Sequence, residues 1–193
     1  MRNKFRKNSV MGVFAIILLF IFSSFCFAES WVPFKFKGNE MYEYNIERQE
    51  DDKTSAIYSL KIEEIKGGKF RVEYSTRMEV ERSNFNEQTA FGFLGSYGPL
   101  NFMFFNPMYK MLFEQLKLKV GEEMSYYGQG LMKVLGKENI AGRTGYICRL
   151  FDSDGSPVFE WVIDPELALP IRSTKLDEEV VEGETILLKY ETF

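Results

Sequence analysis

From Phe70 to Arg82 the side chains alternate almost without a break. Phe70, Val72, Tyr74, Met78 and Val80 stand on one side, and Arg71, Glu73, Ser75, Arg77, Glu79 and Glu81 on the other. Successive side chains of an extended strand point to opposite faces, so a chain patterned this way folds as antiparallel strands with one wet face and one covered face. Residues Met41–Gln49 repeat the pattern, with Tyr42, Tyr44 and Ile46 set against Glu43, Asn45 and Glu47. In the next run Ala56, Tyr58, Leu60 and Ile62 share a face. The polar turns "EDDK" and "KGGK" join the three runs into a meander.

The last third of the chain is also strand-like. The runs "LMKVLGKENIAG", "RTGYICRLFD", "PVFEWVID", "LPIRSTKLD" and "ETILLKYETF" are separated by "AGRTG", "DSDGS", "PELA" and "EEVVEG". Between the two halves lies "AFGFLGSYGPLNFMFFNPMYKMLF", with six Phe or Tyr residues before Pro107 and no charge until Lys110. Asn106 as N-cap and Pro107 at the first helical position start a helix there. Its expected apolar face is Met108, Met111, Leu112, Gln115 and Leu116, Lys110 and Glu114 pair one turn apart, and Gly121 ends it.

The beginning of the chain reads as an export signal. Arg2, Lys4, Arg6 and Lys7 precede an apolar run, and the small residues Cys26 and Ala28 mark cleavage before Glu29. Two other readings stand beside this one, a lipid-attached Cys26 and an uncleaved anchor. Residues 1–28 are thus assigned to a Sec signal peptide and 29–193 to one domain in the periplasm or outside the cell. Removing the four basic residues of the leader leaves 20 basic against 28 acidic residues, a net charge of −8. That surface is wrong for nucleic acid, which asks for a basic stripe, and for electrostatic docking to anionic lipid. Only Cys148 remains after cleavage, so no internal disulfide forms, and its strand setting reads as a small buried apolar group.

Several chemistries lack their residues. The chain has no histidine, which removes the usual general base, the commonest metal ligand and the Ser-His and Cys-His pairings. No catalytic residue, metal site or cofactor is assigned. "DSDG" at 152–155 reads as a hairpin turn and not a calcium loop, because the later ligands of such a loop are missing. The glutamates of the first three strands sit on the wet face, where solvation explains them.

The run "GRTGYICRLFDSDGSPVFEWVIDPELALPIR", together with the leader, the long alternating strands and the apolar helix, resembles the LolA/LolB lipoprotein-carrier superfamily. In this chain the matching stretches are Tyr146–Phe151, Asp152–Ser156, Phe159–Asp164 and Leu169–Arg172. The central part departs from the carriers, which place several helices there. The resemblance implies a strongly curved antiparallel sheet or open β-barrel that holds an acyl chain or another apolar group without transforming it.

The expected fold is therefore mainly β: about eight antiparallel strands, strongly curved or forming an open barrel, with one central helix over the concave face. Residues 90–118 are the expected cover or lid. Lining candidates are Tyr44, Tyr58, Phe70, Tyr74, Phe93, Phe102, Phe104, Met108, Met111, Leu112 and Trp161. Expected partners are a lipid, an acyl chain or lipoprotein, or an envelope protein. Membrane contact would come only through an uncleaved leader or transient docking. The alternatives are a structural or interaction domain with a filled core and, third, an envelope hydrolase using a carboxylate pair.

Overall fold

The computed structural model describes residues 29–48, 54–79, 82, 107–126, 128 and 130–193. The leader, and residues 90–106 of the aromatic segment, lie outside them.

After a short strand β1 (Glu29–Ser30), the alternating runs form β2 (Glu40–Arg48), β3 (Thr54–Ile65) and β4 (Lys69–Met78). The helix α1 covers Pro107–Gln115, followed by β5 (Lys117–Leu118) and β6 (Glu123–Tyr126). Then come β7 (Gly130–Ile140), β8 (Arg143–Asp152), β9 (Pro157–Ile163), β10 (Arg172–Asp177) and β11 (Val180–Thr192). Nine strands form one antiparallel sheet in the order β4-β3-β2-β11-β10-β9-β8-β7-β6, while β1 pairs with β5. The sheet is open and curved, as expected, and β4 and β6 are its edges among the described residues.

Turn chemistry sets the hairpins. Ala141 and Gly142 both take positive φ, as the two-residue loop between β7 and β8 requires. Asp152 closes the β8–β9 turn by accepting backbone N–H bonds from Asp154 and Ser156, both at 2.9 Å, with Gly155 at φ 87°. That carboxylate therefore serves the turn. Register shifts interrupt the β7–β8, β8–β9, β10–β11 and β11–β2 ladders, whereas β2–β3 and β3–β4 run without one. Bulges bend and twist the strand that carries them, so curvature concentrates away from the β4 edge.

Opposed residues in an antiparallel ladder share a face, and here the register separates the two faces cleanly. One row reads Val134, Cys148, Trp161, Ser173, Thr185, Ile46, Ala56 and Met78 across eight strands. Its neighbour on the opposite face reads Lys133, Arg149, Glu160, Thr174, Glu184, Glu47 and Ser55.

The helix differs from expectation in its face and its end. Leu112, Phe113 and Leu116 are the buried residues, while Met111 and Gln115 point outward. Phe113 takes the contact because its ring wedges edge-on between Trp31 and Trp161, at 5.0 and 5.1 Å between centroids. The helix stops at Gln115, and Gly121, at φ 86°, serves the turn between β5 and β6 instead. Lys110 and Glu114 do pair, at 3.8 Å.

Candidate functional site

The apolar face changes character from one end of the sheet to the other. Over β7–β9 it is covered by α1 and Trp31 and forms a packed cluster with Met132, Val134, Cys148, Leu150, Trp161 and Ile163. A second cluster joins Tyr42, Tyr44 and Leu187 to Leu167, Leu169 and Ile171, which come from the segment between β9 and β10. Trp31 fastens the N-terminal segment to that connection by donating its indole N–H to the Leu167 carbonyl at 2.6 Å.

Toward β4 the cover given by the described residues ends. The row Tyr190, Tyr42, Leu60, Tyr74 runs from half-buried through fully buried to 75% exposed, and in the row Glu40, Ile62, Val72 the exposure reaches 55% at Val72. Phe70 is 50% exposed, with its ring against Gly38. A core face thus continues outward, past half-buried Tyr58 and Leu60 on β3, to an open strip of large apolar side chains on β4. Exposed apolar side chains gathered in one patch, as opposed to scattered singly, mark a surface that something contacts.

The lining candidates divide along this gradient. Tyr44, Leu112 and Trp161 are buried core residues. Tyr58 is half-buried and packs against both clusters. Phe70, Tyr74 and, on the outer side of the helix, Met111 are exposed. Phe93, Phe102 and Phe104 lie outside the described residues, as does the side chain of Met108. The pattern of alternation marked the apolar face of the sheet, but it carries no signal for which part is covered. Besides α1, the cover comes from Trp31, Leu167, Ala168 and Leu169, in segments without period-two or helical patterning. Their only sequence signal is apolar residues in a proline-flanked loop.

Several buried polar groups at the site have structural partners, though the Ser173 hydroxyl has none among the described residues. Glu40 accepts from the Tyr42 hydroxyl at 2.6 Å and from the Lys37 backbone N–H. The Tyr42 hydroxyl in turn accepts from the Ala168 N–H at 3.3 Å. Burial, reinforced by the hydrogen bond to Glu40, pushes the Tyr42 phenol well above the usual tyrosine range. Tyr44 is likewise raised by burial, and its hydroxyl donates to the Pro170 carbonyl at 2.9 Å. On the opposite face Glu160 is clamped by Arg149 at 2.7 Å and Arg172 at 2.6 Å, and Arg172 also reaches Glu138 at 2.9 Å. Asp164 accepts from Arg143 at 2.6 Å and from the Glu166 N–H at 2.9 Å.

The Cys148 thiol is buried and raised, first by desolvation and then by the charge of Glu160, which is the opposite of a poised nucleophile. Among the described residues no group of three or more His, Cys, Asp or Glu side chains is placed to hold a metal ion. Among them, too, no helix is long and apolar enough to cross a membrane.

Fold and site together define an open antiparallel β-sheet with one ionic face and one apolar face that the described residues only half cover. No protein-family profile matches the chain, and no curated protein matches it. Among solved structures it is similar to MucB, with a TM-score of 0.48 and 14% identity over 81% of this chain and 54% of that one. It is also similar to the MucA/MucB complex of Pseudomonas aeruginosa, at TM-score 0.42 and 14% identity, covering 79% of this chain and 51% of that one. A DUF1329 family protein from Desulfovibrio piger matches at TM-score 0.24 and 10% identity over 80% of this chain and 85% of that one. The chain spans about half the length of the MucB chains it matches.

Proposed function

We propose that this chain is an exported, non-catalytic protein of the cell envelope that holds an acyl chain or another apolar group against the open strip of its sheet. The observation that carries this reading is the exposure of Val72 and Tyr74 in the same rows as buried Ile62 and Tyr42, with Phe70 exposed beside them on the same face of β4. Leaving such side chains in water costs about 25 cal/mol for each Å² of apolar surface that a ligand would cover. Aromatic walls grip a flexible chain without demanding a particular headgroup.

Native mass spectrometry of the protein recovered from its own envelope, before and after delipidation, tests the reading. The expected result is a mass excess that solvent removes and that Val72→Glu with Tyr74→Glu abolishes while the fold is retained. A bare polypeptide mass, unchanged by added fatty acid or phospholipid, would sink it.

A second reading, an interaction domain of the envelope, is favoured by one specific observation. β4 presents an unpaired edge ten residues long among the described residues.

A further inference from the structure

Among the described residues the outer edge of β4 is unpaired, and it carries a charge pattern that complements itself. Native edge strands are blunted by a proline, a bulge, shortness or charged side chains. β4 has only the charges: it pairs with β3 from Lys69 to Met78 without a register shift and contains neither proline nor glycine. Its wet face, extended by one residue, reads Lys69, Arg71, Glu73, Ser75, Arg77 and Glu79, all exposed or partly so.

We infer that two copies of this chain pair through β4, antiparallel, about a two-fold axis at Ser75. In that register Arg71 faces Glu79 of the second copy and Glu73 faces its Arg77, and symmetry repeats both pairs. Every charged pair formed is attractive. On the other face Val72 meets Met78 and Tyr74 meets Thr76, so the two open apolar strips adjoin. Arg71, already 3.2 Å from Glu63 on β3, then lies between two carboxylates.

Neighbouring registers fail on charge. An axis at Glu73 or Arg77 sets that residue against itself. An axis at Tyr74 sets Arg71 against Arg77, and one at Thr76 sets Glu73 against Glu79. Registers that oppose odd and even residues put the charged face against the apolar one. An axis at Val72 keeps an Arg71–Glu73 pair but engages β4 only from Lys69 to Ser75. Opposite charges directly across a ladder stabilise it and like charges destabilise it. A two-fold interface counts each such pair twice. The inference stands on the edge strand alone and does not require that the strip hold a lipid.

Analytical ultracentrifugation of the delipidated protein, expressed as the full chain, tests it. The wild-type protein should sediment as a dimer. Arg77→Glu and Glu73→Arg should each weaken association about tenfold or more, since each turns two attractive pairs into repulsive ones. Mixing the two variants should restore the dimer. At positions 73 and 77 the first variant then carries only carboxylates and the second only guanidinium groups, so both cross-copy pairs are attractive again. Ser75→Cys should cross-link under mild oxidation while Lys69→Cys should not; the native Cys148 is buried and silent. A wild-type protein that stays monomeric at a concentration on the order of 100 µM overturns the inference. So do variants that dimerise as well as wild type, or a Ser75→Cys protein that stays uncross-linked.

Discussion

At the scale of single residues, two buried phenols and one buried thiol are kept protonated by their surroundings. The Tyr42 and Tyr44 phenols and the Cys148 thiol all bind their protons more tightly folded than unfolded. The unfolded chain therefore ionises first, from about 8.5 for cysteine and about 10 for tyrosine. Stability is full below those values and is lost as pH rises through them. The urea midpoint should hold near neutrality and fall steadily above about pH 9, and a flat midpoint to pH 11 would contradict this assignment. The Cys148 thiol should resist iodoacetamide in the native protein at about pH 8 and react when guanidinium unfolds it; rapid native labelling would show an accessible thiol. Glu160 is the acceptor shared by Arg149 and Arg172. Replacing it with glutamine leaves two partly buried guanidinium groups without their carboxylate and should cost about 3 kcal/mol, read from chemical denaturation.

At the scale of elements, α1 is held by packing and not by its own propensity, since nine residues are too few to be stable alone. Phe113 wedges between Trp31 and Trp161, so Phe113→Ala should destabilise the protein by about 3–5 kcal/mol. Met111→Ala, on the 48% exposed outer side, should change stability by less than about 0.5 kcal/mol. Similar losses in the two variants would mean the helix packs by the Met111 face that its sequence suggested. The close approach of β8 and β9 makes the same point from a glycine. A Cβ on Gly145 would lie 2.7 Å from Val162 Cγ1 and 3.0 Å from Ile171 Cδ1, so Gly145→Ala should cost about 1–3 kcal/mol. The strands themselves were legible because alternation is a local signal: β2 and β3 lie where their patterns placed them, while β4 ends at Met78, short of the Arg82 that its pattern reached. The β10–β11 turn was read too long; "EEVVEG" holds a turn only at Glu178–Glu179, and β11 begins at Val180. Two valines extend a strand whenever a partner strand is there to receive them, which a local pattern does not reveal.

At the scale of the whole molecule, a sheet with one ionic and one apolar face is covered at one end and, among the described residues, open at the other, and the function proposed here belongs to the open end. Charged substitutions at Val72 and Tyr74 should abolish apolar-ligand binding and leave the thermal midpoint within a few degrees of wild type, because neither side chain is buried. A large drop in the midpoint would instead make the strip part of the core. What the sequence determined by itself was the antiparallel sheet, its wet and dry faces, the position of one helix and the absence of histidine chemistry. Each of these follows from the side-chain period or from composition, which neighbours along the chain express without help. Only the tertiary structure decided which stretch of the dry face is buried. That depends on Trp31 reaching Leu167, on Phe113 reaching Trp161, and on β2 pairing with β11 from the far end of the chain. Contacts between residues so distant in sequence leave no periodicity to read; they exist because the apolar face must be covered by whatever segments can reach it.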